Sequence, residues 1–191
     1  DLSNAMAWMA RAEGERNPCF KSTSRIRAAV SANNKLNIAL IGVWGRGLAH
    51  YDSIGKENVV ALCDINAERL ALSAGKIPDQ SGNGIATYDA AQFERMLTEQ
   101  QPDTVIVTTP DYLHHDYIVR ALRDGRDVMT EKPMTVDLGK LREILDAQRA
   151  SGRKVTVTFN YRYTPARTQL KDMLLSGVIG EITAVDFRWY L

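Results

Sequence analysis

The sequence predicts an α/β protein built on a doubly wound parallel sheet. Short apolar runs alternate with amphipathic stretches along most of the chain, and a glycine-rich turn directly follows the first run. The runs are continuous and rich in β-branched residues, as expected for strands that are covered on both faces. Strands that alternate with helices form parallel sheets with right-handed crossovers, and ligands bind at the carboxyl ends of such strands.

These patterns predict six strands and six helices in alternation. Strands are expected at residues 36–42, 57–63, 85–88, 103–108, 127–130 and 154–158. Helices are expected at residues 45–55, 66–76, 89–100, 112–124, 137–151 and 165–176. The fourth and sixth strands are clear because their centres consist of Val, Ile and Thr. The fifth helix carries apolar residues at helical spacing, namely Leu138, Leu141, Ile144 and Leu145.

Size and composition limit the possible functions. A chain of 191 residues can hold one α/β domain and little more. Its net charge of +1 gives no basis for binding nucleic acid or an acidic membrane surface. Cys19 and Cys63 are the two cysteines, so we expect no disulfide framework, and no histidine or cysteine pattern predicts a metal site. No apolar run approaches the ~20 residues of a membrane span and no secretory signal is evident, which predicts a cytoplasmic protein.

The first strand leads into a turn that is typical of dinucleotide-binding units. Gly42 permits a tight turn, Gly45 opens a helix, and Gly47 allows that helix to pack on the sheet. Trp44 stands where such turns usually have a second glycine. Either standard cofactor placement fails here, or the ring points away and only the backbone of Trp44 contributes. Arg46 is counted with the turn as a cofactor-binding residue, and the alternative is a turn without a ligand.

The second strand ends on Asp64, which lies 22 residues after Gly42. This is the distance expected for an acid that accepts hydrogen bonds from the adenosine ribose. A carboxylate would repel a 2′-phosphate, so NAD(H) is predicted over NADP(H). The alternative role for Asp64 is to cap the next helix, but Asn66 is better placed as the cap, which would leave Asp64 free.

The fourth strand is followed by Thr109, Pro110, His114 and His115. Pro110 turns the chain, so the hydroxyl and a ring are expected to face the ligand crevice. His114 is a candidate for contact with a cofactor or substrate, whereas the alternative is a helix-capping or packing role. Adjacent histidines point in different directions, so at most one of the two is expected to serve.

The fifth strand is followed by Glu131, Lys132 and Pro133. A lysine at the carboxyl edge of a sheet, close to a cofactor, can shuttle a proton. Glu131 is expected to hold the nicotinamide ribose or to pair with Lys132, and Pro133 fixes the turn. The alternative is an ordinary solvated Glu–Lys pair on a loop.

The sixth strand is followed by Asn160, Tyr161, Arg162 and Tyr163. Asn160 and Arg162 are candidates to position a substrate or the cofactor amide, whereas the tyrosines equally suit a polar joint between domains. Residues 180–191 alternate with period two, which predicts a strand that begins a second, truncated α+β domain. The alternative is a strand added to the edge of the first sheet.

The division of the chain follows from these observations. Residues 1–35 are interpreted as an N-terminal extension, because Ser3-Asn4-Ala5-Met6 resembles a cloning scar followed by an initiator methionine. Residues 36–160 are the predicted Rossmann-type NAD-binding domain. Residues 161–191 are the predicted start of a domain for substrate binding and oligomerisation.

Taken together, the motifs resemble those of the Gfo/Idh/MocA oxidoreductases, the family of glucose-fructose oxidoreductase and inositol dehydrogenase. The most specific matches are Thr109-Pro110 with His114, the stretch 121–133 that ends in Glu131-Lys132-Pro133, and the run 160–165. The resemblance implies that Lys132 is the active-site lysine and that Glu131, His114 and Asn160 line the nicotinamide end. It also implies a second domain that supplies substrate contacts and the remaining proton-transfer groups, and a protein that forms homo-oligomers at full length.

The hypothesis from this resemblance is an NAD-dependent dehydrogenase of a sugar or polyol, in which Lys132 assists removal of the hydroxyl proton. Two alternatives stay open. One is a glycoside hydrolase that oxidises its sugar transiently with bound NAD, which would cleave glycosides without net NADH. The other is a regulatory domain that binds NAD without turnover, for which Lys132→Ala would leave function unchanged.

Overall fold

The computed structural model describes residues 35–162 and 164–188. Six strands form one parallel sheet in the order β3-β2-β1-β4-β5-β6. They are β1 (Asn37–Ile41), β2 (Asn58–Asp64), β3 (Ala86–Asp89), β4 (Thr104–Val107), β5 (Asp127–Glu131) and β6 (Val155–Thr158). This is the doubly wound, Rossmann-like arrangement predicted from the alternation of apolar runs and amphipathic stretches.

Each predicted helical segment contains a helix. The α-helices are α1 (Tyr51–Ile54), α2 (Ala67–Ala74), α3 (Phe93–Gln100), α4 (His114–Arg123), α5 (Leu138–Ser151) and α6 (Pro165–Leu175). Short 3₁₀ helices lead into three of them, at Gly45–His50, Ala90–Gln92 and Asp111–Leu113. The predicted helix at 45–55 is therefore divided, and its first six residues have the tighter 3₁₀ winding.

The sheet is covered on both faces by apolar side chains. One buried cluster contains Phe93, Met96 and Ile118 from α3 and α4. The other, on the opposite face, contains Ile54 and Leu70 from α1 and α2. Alternate residues of each central strand belong to one cluster or the other, which is why those strands are continuously apolar in sequence.

The order of the strands reverses between β1 and β4. β1 pairs with β2 on one side and with β4 on the other. The chain thus moves outward from β1 to β3, then crosses back and moves outward again from β4 to β6. At such a reversal the loops on the two sides diverge, which leaves a crevice at the carboxyl ends of β1 and β4.

The C-terminal segment differs from the prediction. The described part of the expected strand, residues 180–188, is exposed and forms no strand, and it does not extend the sheet edge. A strand is stabilised by pairing with a neighbouring strand, and this segment is not among the six strands of the sheet. Residues 1–34, Tyr163 and residues 189–191 lie outside the described residues. The predictions for the N-terminal extension, for Tyr163 and for the end of the C-terminal strand therefore fall outside the described residues.

Within residues 35–162 and 164–188, no helix is long and apolar enough to cross a bilayer. The same residues contain no cluster of His, Cys, Asp and Glu that could hold a metal ion. Cys63 is a buried free thiol in β2.

Candidate functional site

The glycine turn after β1 is tightly packed against the end of β4. Gly42 has a φ of +84°, and a Cβ there would lie 2.7 Å from the carbonyl carbon of Thr108. A Cβ on Gly47 would lie 2.2 Å from the backbone oxygen of Gly42. Neither position has room for a side chain, so both glycines are required by the close approach of three backbone segments.

Gly45 differs from the other two glycines of the turn. Its φ of +58° favours glycine, but a Cβ there would meet no atom within 4 Å. The space beside it is therefore open. Open space next to the backbone N–H groups that begin a helix is what a phosphate group requires for close approach.

The hydroxyl of Thr108 fixes this turn. Its Oγ1 donates to the backbone oxygen of Gly42, at 2.6 Å, and also lies 3.0 Å from that of Ile41. On the other side, the Tyr51 hydroxyl lies 2.5 Å from the backbone oxygen of Val43. The turn carbonyls thus have side-chain partners from Thr108, which follows β4, and from Tyr51 of α1.

Trp44 lies at the start of the 3₁₀ helix with extended backbone angles (φ −114°, ψ 173°) that any residue can adopt. Its ring lies close to two cations, with the Arg69 guanidinium carbon 5.7 Å and the Lys76 ammonium nitrogen 5.6 Å from the ring centroid. The side chain therefore extends toward α2. Of the two alternatives for Trp44, this arrangement favours a ring directed away from the turn.

Asp64, at the end of β2, is buried and bonded to the turn. One carboxylate oxygen accepts the backbone N–H of Val43 at 2.9 Å, and the other accepts that of Asn66 at 3.0 Å. Asn66 does cap α2, since its side chain accepts the N–H of Arg69. The expectation that this leaves Asp64 free is wrong, because the carboxylate already has two backbone partners. Each of its oxygens retains one further lone pair for a ligand hydroxyl.

Glu131, at the end of β5, is the most buried charged group of this edge, with 3% of its surface exposed. Its Oε1 accepts from Arg46 at 2.9 Å and lies 3.2 Å from Nε2 of His50. Its Oε2 accepts the backbone N–H of Lys132 at 3.2 Å. These contacts connect the segment after the glycine turn to the loop that carries Lys132.

The charge of Glu131 is set by these partners. Burial alone would raise the pKa of its carboxyl group. Hydrogen bonds from His50 and Arg46, with the positive charge of the Arg46 guanidinium, outweigh burial and lower the pKa of Glu131 to about 2. The carboxylate is therefore ionised throughout the neutral range. Its side-chain partners are Arg46 and His50, rather than the Lys132 side chain considered from sequence.

Lys132 is exposed at the carboxyl edge of the sheet, next to Glu131. The peptide bond between Lys132 and Pro133 is cis, which turns the chain sharply after β5. The backbone oxygen of Pro133 lies 2.8 Å from Nδ1 of His114. The lysine loop is thus held by Glu131 on one side and by His114 on the other.

His114 lies beneath the crevice. Its side chain is fully buried, and Nε2 lies 2.8 Å from the backbone oxygen of Thr109. With both ring nitrogens against backbone carbonyls, the ring has no surface for a ligand, so the geometry favours the packing alternative for His114. Its neighbour His115 pairs with Glu143 of α5 at 2.8 Å.

Other predicted residues line the same edge. Oγ1 of Thr109 is buried and has no hydrogen-bond partner among the described residues. Pro110, Asn160 and Arg162 are exposed after β4 and β6. The structure thus brings the glycine turn, Asp64, Thr109, Glu131 and Lys132 to the carboxyl edge of one sheet. Asn160 and Arg162 follow β6, the outermost strand on that side.

Sequence reasoning missed His50. It is 1% exposed, and it belongs to the same short helix as Arg46. One signal was present: Arg46 and His50 are four residues apart within the predicted helix 45–55, a spacing that brings side chains together on an α-helix. The partner, Glu131, is 81 residues further along the chain and is found only through the fold.

Comparison with known proteins gives a family match and related sequences. Residues 36–159 match the model of the GFO_IDH_MocA family, described as an oxidoreductase family with an NAD-binding Rossmann fold. YteT of Bacillus subtilis strain 168, a protein named as an oxidoreductase, is 37% identical over 142 residues, which are 74% of this chain and 31% of YteT. The D-glucoside 3-dehydrogenase of Escherichia coli strain K12 is 30% identical over 160 residues, covering 82% of this chain and 44% of that enzyme.

A solved structure shows the same fold. The scyllo-inositol dehydrogenase of Lactobacillus casei, crystallised with NAD(H) and scyllo-inositol, superposes with a TM-score of 0.68 at 20% identity. The superposition covers 78% of this chain and 43% of that enzyme. The chain therefore spans less than half the length of these three proteins.

Proposed function

Because this chain belongs to the Gfo/Idh/MocA oxidoreductase family, we propose that it is the NAD-binding part of a dehydrogenase that oxidises a sugar or a polyol. In this proposal residues 36–160 bind the cofactor and residues 161–191 begin the domain that completes the substrate site. The observation that carries the proposal is the convergence of the glycine turn, Asp64 and the Glu131–Lys132 loop on one edge of the sheet, around the reversal in strand order.

The residues present fit a dinucleotide. Because Gly42 and Gly47 have no side chains, the turn can pack closely against the end of β4. Gly45 leaves open space where a pyrophosphate would approach. The Trp44 ring lies toward α2 and leaves the backbone of the turn available. Arg46 is half exposed, so its remaining N–H groups are available to a phosphate oxygen.

Asp64 supports NAD(H) over NADP(H) in this proposal. Its carboxylate is at the end of β2 and is fixed by the N–H groups of Val43 and Asn66. In that position it would accept hydrogen bonds from the adenosine ribose hydroxyls. Its negative charge would oppose a phosphate group on the same ribose.

Lys132 is the proposed catalytic residue. NAD, when bound, would supply the hydride acceptor. The Lys132 ammonium or amine group, exposed beside the edge of β5, would hold or move the proton of the substrate hydroxyl. Thr109, Pro110, Asn160 and Arg162 would border the nicotinamide end, and His114 would support the loops from below.

Calorimetric titration with NAD⁺ and, separately, NADP⁺ tests the cofactor assignment. We expect NAD⁺ to bind and NADP⁺ to bind more weakly. Asp64→Asn should raise the NAD⁺ dissociation constant about tenfold or more, because it removes a charged hydrogen-bond acceptor worth roughly 1.5–3 kcal/mol. Asp52→Asn, a change at an exposed acid of α1, is the matched control and should leave binding unaltered.

Three outcomes would count against this proposal. If neither NAD⁺ nor NADP⁺ binds, the turn that contains Trp44 does not form a cofactor site. Equal affinity for both dinucleotides would remove the argument from Asp64. Unchanged function of the full-length protein after Lys132→Ala would favour a regulator that binds NAD without turnover.

A further inference from the structure

His50 is a buried histidine whose position is not explained by packing alone. Its ring is 1% exposed, and its Nδ1 has no hydrogen-bond partner among the described residues. A buried polar atom without a partner destabilises the folded protein. An apolar side chain of similar volume would avoid that cost, so the imidazole serves a purpose other than filling space.

The contact that His50 makes identifies its protonation pattern. Nε2 lies 3.2 Å from Oε1 of Glu131, a carboxylate that can only accept hydrogen bonds when ionised. Nε2 must therefore carry the proton and donate it to Glu131. Arg46 donates to the same oxygen at 2.9 Å.

This arrangement divides the two oxygens of Glu131 between two parts of the chain. Oε1 is held by Arg46 and His50, from the helix that follows the glycine turn. Oε2 is left to accept the backbone N–H of Lys132 at 3.2 Å. The orientation of the carboxylate, and with it the start of the lysine loop, therefore depends on donors located 85 and 81 residues earlier in the chain.

The two donors differ in exposure. The Arg46 side chain is 50% exposed, so it can turn toward a phosphate or toward solvent, whereas the His50 side chain is 1% exposed and cannot. The buried donor, His50, therefore still contacts Glu131 when the Arg46 side chain turns away.

We propose that His50 is a positioning residue for Lys132, acting through Glu131: it fixes the carboxylate so that Oε2 holds the Lys132 backbone at the edge of the sheet. This inference rests on the proposed role of Lys132 in catalysis. The placement it describes can be measured without any cofactor or substrate.

The test is the backbone amide signal of Lys132 in the chain labelled with ¹⁵N-lysine. The signal is identified by its loss in Lys132→Arg. A hydrogen bond to an anionic oxygen moves an amide proton downfield, and we expect this shift in the parent protein. His50→Gln, which keeps an N–H donor, should retain it, whereas His50→Leu, which has similar size and no donor, should lose it.

Equal behaviour of the two His50 variants would overturn the proposal, because a packing role does not depend on the donor. Thermal unfolding of both variants reports packing separately. If His50→Leu does not fold, Arg46→Met on the exposed side serves instead. It should leave the Lys132 amide shifted, and loss of the shift in that variant would show that Arg46, not His50, holds Glu131.

The same samples separate this inference from the proposed function. Calorimetry with NAD⁺ on the parent protein tests cofactor binding alone. If the protein binds no NAD⁺ but its Lys132 amide shift is kept in His50→Gln and lost in His50→Leu, the role of His50 would stand and the proposed function would be refuted.

Discussion

At the scale of single residues, the three glycines after β1 have different physical roles. Gly42 and Gly47 are required because a Cβ at either would overlap backbone atoms. Gly45 is favoured by its positive φ, but it faces open space. One turn thus contains glycines that serve the fold and a glycine whose surroundings suit a ligand.

This difference can be measured by comparing Gly47→Ala with Gly45→Ala. Gly47→Ala should lower the free energy of unfolding by at least about 2–3 kcal/mol, because its Cβ would lie 2.2 Å from a backbone oxygen that cannot move easily. Gly45→Ala should cost only about 1 kcal/mol, the penalty for a left-handed residue. It should nevertheless abolish NAD⁺ binding if the open space receives phosphate. Urea unfolding and calorimetry on both variants decide this, and equal losses of stability would contradict the assignment.

Glu131 makes stability depend on pH in a predictable direction. Its pKa in the folded protein is about 2, below the value of 4.5 expected when the chain is unfolded. The folded state therefore gains stability from the ionised carboxylate above pH 4.5 and loses it as the pH falls toward 2. The gain is on the order of 3 kcal/mol at neutral pH.

Glu131→Gln should accordingly be less stable than the parent at pH 7, and the difference should shrink steadily below pH 4.5. Urea unfolding at pH 7, 5 and 3 gives the two curves. Glu181→Gln, at an exposed acid beyond the sheet, is the control and should match the parent at every pH. A difference for Glu131→Gln that stays constant with pH would mean that the lost contact is steric rather than electrostatic.

At the scale of elements, the helices differ in how they are stabilised. The α4 helix buries six residues, and α5 buries Ile144 and Ala147 in the cluster that also contains α4 residues. The α6 helix buries none, although Pro165 gives it a favourable first turn. Apolar side chains of α6, including Leu170, Met173 and Leu175, are 49–75% exposed.

Hydrogen exchange should therefore distinguish α5 from α6. Amides in the middle of α5 should exchange only when the buried cluster opens, since this helix contributes Ile144 and Ala147 to it. Amides of α6 should exchange much faster, because a helix of 11 residues without tertiary packing is marginal in water. Mass spectrometry after exchange resolves the two segments. Equal protection of both would show that α6 has a packing partner under the conditions used.

At the scale of the whole molecule, the candidate site exists because the strand order reverses. The segment after β1 supplies the glycine turn and Arg46, the end of β2 supplies Asp64, and the end of β5 supplies Glu131. A parallel sheet brings all of these ends to one edge, and the β1–β4 neighbourhood lets the glycine turn contact Thr108. The exposed apolar residues from α6 to Phe187 lie apart from the two buried clusters of the sheet.

Local patterns in the sequence determined the type and order of the elements, because burial on both faces of a sheet requires continuous apolar strands and amphipathic helices. They also located the glycine turn, Asp64 and Glu131-Lys132-Pro133, since those depend on short spacings. Only the tertiary structure decided the partners of these groups. Glu131 bonds to His50 and Arg46, His114 is buried between two carbonyls, and Asp64 is held by Val43 and Asn66. Such pairings join distant parts of the chain, or depend on side-chain direction at a turn, and neither is encoded in local periodicity.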